Sequence, residues 1–305
     1  MSKITTPAME RIAKQQSRRR RRDPEKSFSF MADAWKRFSK NKMAMLGLGI
    51  IVLLLLIAVF AKFLIPYSYV KTSMADAYQF PNKEHWFGTD HLGRDIFSRC
   101  IYATRVSLPM GIICAIVSIC MGGFVGLIAA FFMGTVDNVL MRIMDILQAI
   151  PATLMAICVV ASLGTGVPQL VLAIALGGLP MFAKTVRSAV FTVRDKDYIE
   201  ATRSIGAKSF RLMFRHIIPN CIGHFIITLV SSVAGNIMVI SVMSYIGLGI
   251  QPPLPEWGYM LADGKAYIFS HWYMIAFPGI FILLTVYAFF LLGDGVRDAL
   301  DPNMK

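Results

Sequence analysis

Five long runs without a charged residue constrain this chain more than any other feature of its sequence. They cover residues 43–61, 106–136, 146–183, 217–255 and 266–293, with lengths of 19, 31, 38, 39 and 28 residues. A helix needs roughly 20 apolar residues to cross the hydrocarbon core of a bilayer. Lipid offers no partner to an unpaired backbone group, so we expect each crossing to be helical. The chain is therefore predicted to be an all-α integral membrane protein.

Turn signals divide these runs into six predicted transmembrane helices. The 38-residue run contains GTGVP at 164–168, whose Gly and Pro residues favour a turn between two spans. The 39-residue run ends in GLGIQPPLPEWG, where the prolines prevent a regular helix. The predicted spans are 43–65, 106–132, 138–162, 168–191, 221–245 and 274–294.

The distribution of Lys and Arg predicts the orientation. Thirteen of them precede the first span and eight lie between Lys184 and Arg215, whereas the loop between spans five and six holds only Lys265. Cationic flanks stay in the cytoplasm. The N-terminus is thus expected inside, six spans return the C-terminus to the same side, and residues 195–220 face the cytosol.

The N-terminal part is interpreted as a lipid-facing region. Residues 1–26 are polar and basic and are expected to be disordered. Phe30, Ala34 and Phe38 form one apolar stripe of an interfacial helix. The net charge of +13 suits anionic lipid, and no nucleic-acid-binding fold is recognisable. Forty-two hydrophilic residues precede the apolar core, which excludes a signal peptide. The five cysteines form no CxxC pair and are interpreted as packing residues.

A polar segment, DYIEATRSIGAKSFRLMFRHIIPN at 197–220, stands between predicted spans four and five. Its acidic start favours the positive end of a short helix over 195–205, and Gly206 favours a break. A second helix is predicted to carry Phe210, Met213, Phe214 and Ile217 on one face and Lys208, Arg211 and Arg215 on the opposite face. Pro219 is predicted to end it.

This pattern fits two functions equally. Two short interfacial helices hinged at a glycine suit a surface loop whose basic face touches lipid. They also suit a docking element for a cytosolic partner, because a helix in a groove needs a compact projecting surface.

The same segment resembles the EAA loop of bacterial ABC importer permeases, and Glu200, Ala201, Gly206, Ile217 and Pro219 match its pattern. Thr202 and Ile218 depart mildly from it. Four further blocks resemble the C-type permease of dipeptide/oligopeptide and nickel importers, in the binding-protein-dependent transport system inner membrane component family. These blocks are WKRFSKNKMAMLGL, FGTDHLGRDIFSR, GLGIQPPLPEWGYML and LLGDGVRDALDP.

The resemblance implies a type I permease, with a five-helix core and an added N-terminal span, in a bacterial cytoplasmic membrane. It implies four organisational parts: a basic tail and interfacial helix (1–42), the first span and an external loop (43–105), the permease core with its coupling loop at 195–220 (106–297), and a cytoplasmic tail (298–305). The coupling-loop residues would be Asp197, Tyr198, Glu200, Ala201, Gly206, Ile217 and Pro219.

The implied partners are a second, B-type permease, two cytosolic ABC ATPases and an external solute-binding protein. ATP and magnesium would bind to the ATPases, and this chain would bind no cofactor. The sequence agrees on one point: ADGKAY lacks the spacing of a phosphate-binding P-loop. Nickel, glutathione or an oligosaccharide is an alternative cargo to peptides.

Other chemistry is less well supported. No motif of a hydrolase or metalloprotease is present, so no enzymatic activity is expected. An ion-coupled transporter would need ionisable groups deep in several spans. Asp90, His91 and Asp95 fit no standard metal spacing and favour turns. Arg142 and Asp145 are expected to pair at i, i+3, although a transport role for Asp145 is an alternative.

Two smaller interpretations concern packing and the membrane interface. His216 and His224 are read as interfacial residues at the start of span five. Gly122 and Gly126 suit close helix packing.

Overall fold

The computed structural model describes residues 30–300, so the predictions for residues 1–26 and for the end of the tail lie outside the described range. The described residues form the helices α1 (Phe30–Phe38), α2 (Lys42–Leu64), α3 (Ile96–Phe132), α4 (Gly134–Gln148), α5 (Ala152–Leu163), α6 (Val167–Arg194), α7 (Asp197–Ser204), α8 (Ser209–Leu212), α9 (Ile218–Tyr245), α10 (Trp257–Gly264) and α11 (Tyr273–Leu300). A π-helical turn, Met213–Ile217, joins α8 to α9. Within this range the sole extended pairing is an isolated bridge between Thr89 and Asp95.

Five of the helical stretches are long and apolar enough to cross a membrane: α2, α3, α6, Phe210–Tyr245 and α11. The pair α4 and α5 passes the same test only when taken together, and its two helices are bent by 84°. The prediction of an all-α membrane protein is confirmed. Six spans are obtained if the bent pair counts as one.

The predicted span 138–162 is wrong as a single regular helix. Helix α4 ends at Gln148 and α5 begins at Ala152, after Pro151. Proline lacks the N–H for the helical ladder and disfavours a helical conformation at the residue before it. The chain therefore turns sharply inside an uncharged run.

The second span begins ten residues earlier than predicted, at Ile96 instead of 106. Asp95 caps this helix by accepting a hydrogen bond of 2.7 Å from the backbone N–H of Ser98. The boundary between external loop and core at 105/106 therefore divides one helix. The sequence suggested a later start because the uncharged run begins only after Arg105. The helix nevertheless includes Arg99, whose side chain is buried near Asp90 and Asp263.

Pro219 does not end a helix, contrary to the prediction. It occupies the first turn of α9, where a missing N–H leaves no bond unmade. The stretch from Phe210 to Tyr245 thus forms one long helical span interrupted by the π turn. The second predicted interfacial helix is the beginning of span five.

Small residues allow a close contact between α3 and α6, as predicted for Gly122 and Gly126. A Cβ added at Gly122 would lie 2.6 Å from the Leu179 carbonyl oxygen, and one at Gly126 would lie 2.2 Å from that of Ala183. Any side chain at these positions would force α3 away from α6. Backbones approach closely in membrane bundles through glycines of this kind.

The first and last helices of the described range pack together. Phe38 of α1, Ala44 of α2 and Ala299 of α11 form one buried cluster, while Trp35 is exposed. Helix α11 continues through Leu300, so the predicted tail at 298–305 begins inside a helix.

Candidate coupling site

Helix α7 is held by one buried side chain. Ile199 is 1% exposed and packs in a cluster with Val190 and Val193 of α6 and with Ile217 and Cys221. Removing such a side chain from water is worth about 1.5–3 kcal/mol. Helix α7 is therefore expected to move together with the last turns of α6 and the first turn of α9.

The acidic residues of α7 lie where the prediction placed them. Asp197 and Glu200 occupy its first turn, at the positive end of the helix macrodipole. The carboxylate of Glu200 is exposed, as are Tyr198 and Ala201. Partial burial raises the pKa of the Tyr198 phenol. These side chains form an open face on the side away from Ile199.

Gly206 ends α7 in a left-handed conformation. Its φ is +85°, and nothing lies within 4 Å of a Cβ added there. The glycine is required by the backbone angle, which other residues adopt at a cost, and not by a lack of space. The bond from the Gly206 N–H to the Arg203 carbonyl, 3.0 Å, closes the turn.

The turn between α7 and α8 is flanked by two large, exposed apolar residues. Ile205 is 85% exposed and Phe210 is 70% exposed. The predicted apolar stripe is divided in the structure: Ile217 is buried, whereas Phe210 and Phe214 are exposed and contact each other with ring centroids 4.4 Å apart. Exposed apolar side chains at the end of a polar loop mark an interaction surface.

The seven predicted site residues separate into two groups. Asp197, Tyr198, Glu200, Ala201 and Gly206 lie on α7 and its C-terminal turn. Ile217 is buried below them and Pro219 belongs to the first turn of α9. Sequence reasoning missed Ile199, although it is an isolated apolar residue in a polar helix.

Two ion pairs attach α4 to α6. Asp137 accepts two hydrogen bonds from Arg187, and Asp145 pairs with Lys184 at 2.6 Å. The predicted Arg142–Asp145 pair is therefore wrong: the α6 lysine satisfies the carboxylate. Spacing within α4 carried no information about a residue that lies about 40 positions later in the chain.

The external loop places Asp90, His91 and Asp263 with ligand atoms within 4.8 Å of one another. Arg94 pairs with Asp90 at 2.6 Å and with Asp263 at 2.7 Å, so both carboxylates already have a cationic partner. Asp95 stands apart, capping α3 and bonding to His85 at 2.9 Å. Arg94, held by Asp90, fastens the loop to Asp263 of α10.

Glu256 is a fully buried carboxyl group that sequence reasoning left unassigned. It caps α10 by accepting a hydrogen bond of 2.9 Å from the Tyr259 N–H, and the Ser107 hydroxyl donates to it at 3.2 Å. Burial raises the pKa of Glu256, since desolvation disfavours the charged form. Next to it, the Trp257 Nε1–H donates to the Cys100 carbonyl at 3.1 Å. These contacts attach the start of α10, at Glu256 and Trp257, to α3.

Comparison with proteins of known structure supports the fold. The methionine ABC transporter MetNI, in inward-facing conformations, matches with a TM-score of 0.55 and 16% identity, over 66% of this chain and 96% of that chain. An amino acid ABC transporter with histidines gives a TM-score of 0.51 and 17% identity, over 66% and 94%.

Sequence relatives cover nearly the whole chain. The dipeptide transport system permease protein DppC of Bacillus subtilis is 39% identical over 280 residues, which are 92% of this chain and 88% of that protein. The oligopeptide permease protein OppC of the same organism is 40% identical over 281 residues, 92% of each chain. The glutathione permease protein GsiD of Pectobacterium atrosepticum is 40% identical over 272 residues, 89% of this chain and 90% of that protein.

Two family descriptions match separate parts of the sequence. Residues 29–81 match the N-terminal TM domain of oligopeptide transport permease C. Residues 122–305 match the binding-protein-dependent transport system inner membrane component. The helical membrane fold, the relatives and these matches agree, and the chain belongs to the family of binding-protein-dependent transport system inner membrane components as a permease subunit of an ABC importer.

Proposed function

We propose that this chain forms half of the translocation pore of an ATP-driven importer of short peptides, and that α7 couples the pore to a cytosolic ATPase. The observation that carries the proposal is the arrangement of α7. Ile199 fixes it to α6 and α9, whereas Tyr198, Glu200, Ala201 and Ile205 remain exposed. A helix that is fixed on one side and open on the other can transmit a push into the membrane helices.

The proposed partners follow from this arrangement. Two ATPase subunits would dock on α7 and its counterpart in a second, B-type permease, and an external solute-binding protein would deliver the cargo. ATP and magnesium would bind to the ATPases, and we assign no catalysis and no cofactor to this chain. The density of Lys and Arg around 184–215 supports a cytosolic position for α7, with both termini on that side of a bacterial cytoplasmic membrane.

Short peptides are the proposed cargo because the relatives are described as permeases for dipeptides, oligopeptides and glutathione. Glutathione is itself a tripeptide. Competition for uptake of a labelled dipeptide by unlabelled glutathione, an oligosaccharide and nickel would separate the alternatives. No uptake of the labelled dipeptide, together with uptake of the oligosaccharide or of nickel, would contradict a peptide carrier.

The coupling role is tested by Glu200→Lys. The substitution reverses the charge of the open face of α7 and touches no buried contact, so membrane abundance should be unchanged. ATP hydrolysis by the assembled complex should continue while uptake is lost. Glu84→Lys is the matched control, since Glu84 is also exposed, in the external loop. Unchanged uptake by the Glu200 variant would remove the coupling assignment.

Purification in mild detergent tests the assembly. Recovery of a P-loop ATPase, a second permease and a solute-binding protein is the expected result. Recovery of the chain alone, still able to transport in liposomes, would favour an ion-coupled transporter.

A further inference from the structure

An apolar groove of about 400 Å³ opens between helices α3 and α9. One wall consists of α3 residues within 119–127, and the other of Phe225, Ile226 and Leu229 of α9. Val186 of α6 also lines it, and a Cβ added at Gly123 would lie 3.5 Å from this valine. Phe214, which belongs to the proposed coupling segment (residues 195–220), lines one end of the groove.

The groove continues a seam that is packed elsewhere along the same two helices. On α3, the face that lines the groove at Ile119 and Gly123 extends back to Leu108, Ile112 and Ala115 at intervals of three or four residues. On α9, Phe225 and Leu229 continue to Val233 and Ile237. These deeper residues share one cluster with Ile51 and Leu54 of α2 and with Ala288 and Phe289 of α11. Protein covers that part of the seam.

In the described part of the chain, helix α2 contributes no lining residue to the groove. Near its start α2 packs with α1 and α11, through Ala44, Phe38 and Ala299. A Cβ added at Gly295 would lie 2.1 Å from the Cβ of Ala44, so α2 and α11 touch closely here. Among residues 30–300, the cluster that contains the start of α2 has members from these three helices, and the groove stays uncovered.

Glycines on α3 explain why the groove exists. At Gly111 an added Cβ would lie 2.4 Å from Cγ1 of Ile237 on α9, and at Gly126 it would lie 2.2 Å from the Ala183 oxygen on α6. Helix α3 therefore contacts α9 at one level and α6 at another. The space left between α3 and α9 is the groove.

We propose that one acyl chain of an anionic phospholipid fills this groove, with its headgroup at Arg211 and Arg215. A volume of about 400 Å³ equals roughly thirteen water-sized units of about 30 Å³ each, and a methylene group is of similar size. The named lining residues are apolar, so a polar cargo would lose its hydrogen bonds there. A hydrocarbon chain makes no hydrogen bonds and therefore loses none on entering the groove.

In this proposal Arg211 and Arg215 select the headgroup. Both are exposed, and Arg215 directly follows Phe214, which lines the end of the groove. Arg211 follows Phe210, whose ring centroid is 4.4 Å from that of Phe214. The topology proposed above places this end at the cytoplasmic leaflet, where basic residues attract anionic lipid.

The test compares lipid retention by the purified full-length chain and its Gly123→Leu variant. After delipidation, phosphatidylglycerol or phosphatidylcholine with identical acyl chains is added, and bound lipid is counted by native mass spectrometry. The wild type should retain one phosphatidylglycerol and prefer it about tenfold, or about 1.4 kcal/mol. Gly123→Leu should reduce retention by a similar factor, because its side chain enters the groove without displacing α6.

Gly235→Leu is the matched control, since nothing lies within 4 Å of a Cβ added on that side of α9. It should retain lipid as the wild type does. The double variant Arg211→Gln with Arg215→Gln should bind both lipids equally. Equal retention by wild type and Gly123→Leu, or no retention by either, would overturn the proposal.

A protein occupant is tested separately through Cys120, an exposed thiol that lines the groove. In native membranes a thiol-directed cross-linker at Cys120 should capture no helix of another membrane subunit. A cross-linked peptide from a second subunit, absent in Cys120→Ser, would show that a protein helix fills the groove and would also overturn the proposal.

Discussion

Arg187 and Asp137 meet through two parallel hydrogen bonds of 2.6 Å, from Nε to Oδ1 and from Nη2 to Oδ2. This two-pronged contact joins α6 to the first turn of α4. Charge-assisted pairs with this geometry are stronger than single contacts. Besides Asp137, the buried residue of α4 is Met144. The Arg187–Asp137 pair therefore accounts for much of the attachment of α4 to α6.

Asp137→Ala should therefore destabilise the protein by about 2–3 kcal/mol. Breaking a fully buried ion pair costs about 3–5 kcal/mol, and the loss should be at or below that range because one-third of the Arg187 side chain is exposed. Thermal unfolding in detergent would measure the loss. Asp145→Ala is the control, since its pair with Lys184 is more exposed and exposed ion pairs contribute little to stability. Equal losses for the two variants would mean that the geometry of the Arg187 contact carries no special weight.

Ile199→Ala should loosen α7 by about 2–4 kcal/mol, because it removes a buried side chain from the α6–α9 cluster. Trypsin should then cleave faster after Lys196 and Arg203, and the ATPase should no longer co-purify. Ile205→Ser should leave cleavage unchanged but weaken co-purification, since Ile205 is exposed. An Ile205 variant that retains the ATPase normally would place the contact elsewhere.

Gly206→Ala should cost about 1 kcal/mol, because a Cβ strains a residue with positive φ. Gly206→Asn should be milder, and Gly206→Pro should be the most harmful because proline fixes φ near −65°. Peptide uptake should decline from the Asn variant through the Ala variant to the Pro variant. Gly235→Ala, at an open position of ordinary φ, is the control. Uptake that is insensitive to all three changes would argue against a defined α7 turn.

Glu256 should make stability depend on pH. Its pKa is raised in the folded protein, so the folded state binds the proton more tightly than the unfolded state. Stability should fall as pH rises from the unfolded pKa of about 4.3 through the raised folded pKa, and level off above it. Glu256→Gln should flatten this dependence, measured as unfolding temperature against pH.

The amide introduced by Glu256→Gln keeps an acceptor oxygen for the Tyr259 N–H, and its NH2 group can donate to the Ser107 hydroxyl oxygen in place of the bond that Ser107 donates to the carboxylate. The fold should therefore persist. Glu84→Gln, at an exposed carboxylate, should leave the pH dependence as in the wild type. A Glu256 variant that retains the wild-type slope would locate the titrating group elsewhere.

Much of the fold could be predicted from the sequence because the bilayer imposes a simple rule on long uncharged runs. The turn at GTGVP appears in the structure: α5 ends at Leu163 and α6 begins at Val167. The rule failed where one residue decides locally. Pro151 bends an uncharged run, whereas Pro219 is harmless because it lies in a first helical turn.

The pattern of the proposed coupling segment, residues 195–220, indicates its local structure but not the contacts that support it. Spacing revealed the exposed acidic start and Gly206, which depend on local backbone chemistry. Ile199 packs on residues of α6 and α9, and Asp145 pairs with a lysine on another helix. Contacts between distant parts of the chain leave no trace in local periodicity.

The close contact at Gly122 and Gly126 gives α6 the mechanics of a lever. Helix α6 touches α3 from Leu179 to Ala183, with eleven residues beyond Ala183 towards α7 and twelve before Leu179. At 1.5 Å per residue, the two arms are about 16 and 18 Å long. Because the contact leaves no room to slide, a shift of about 1 Å beside Ile199 would appear as a shift of about 1 Å in the opposite direction at the far end.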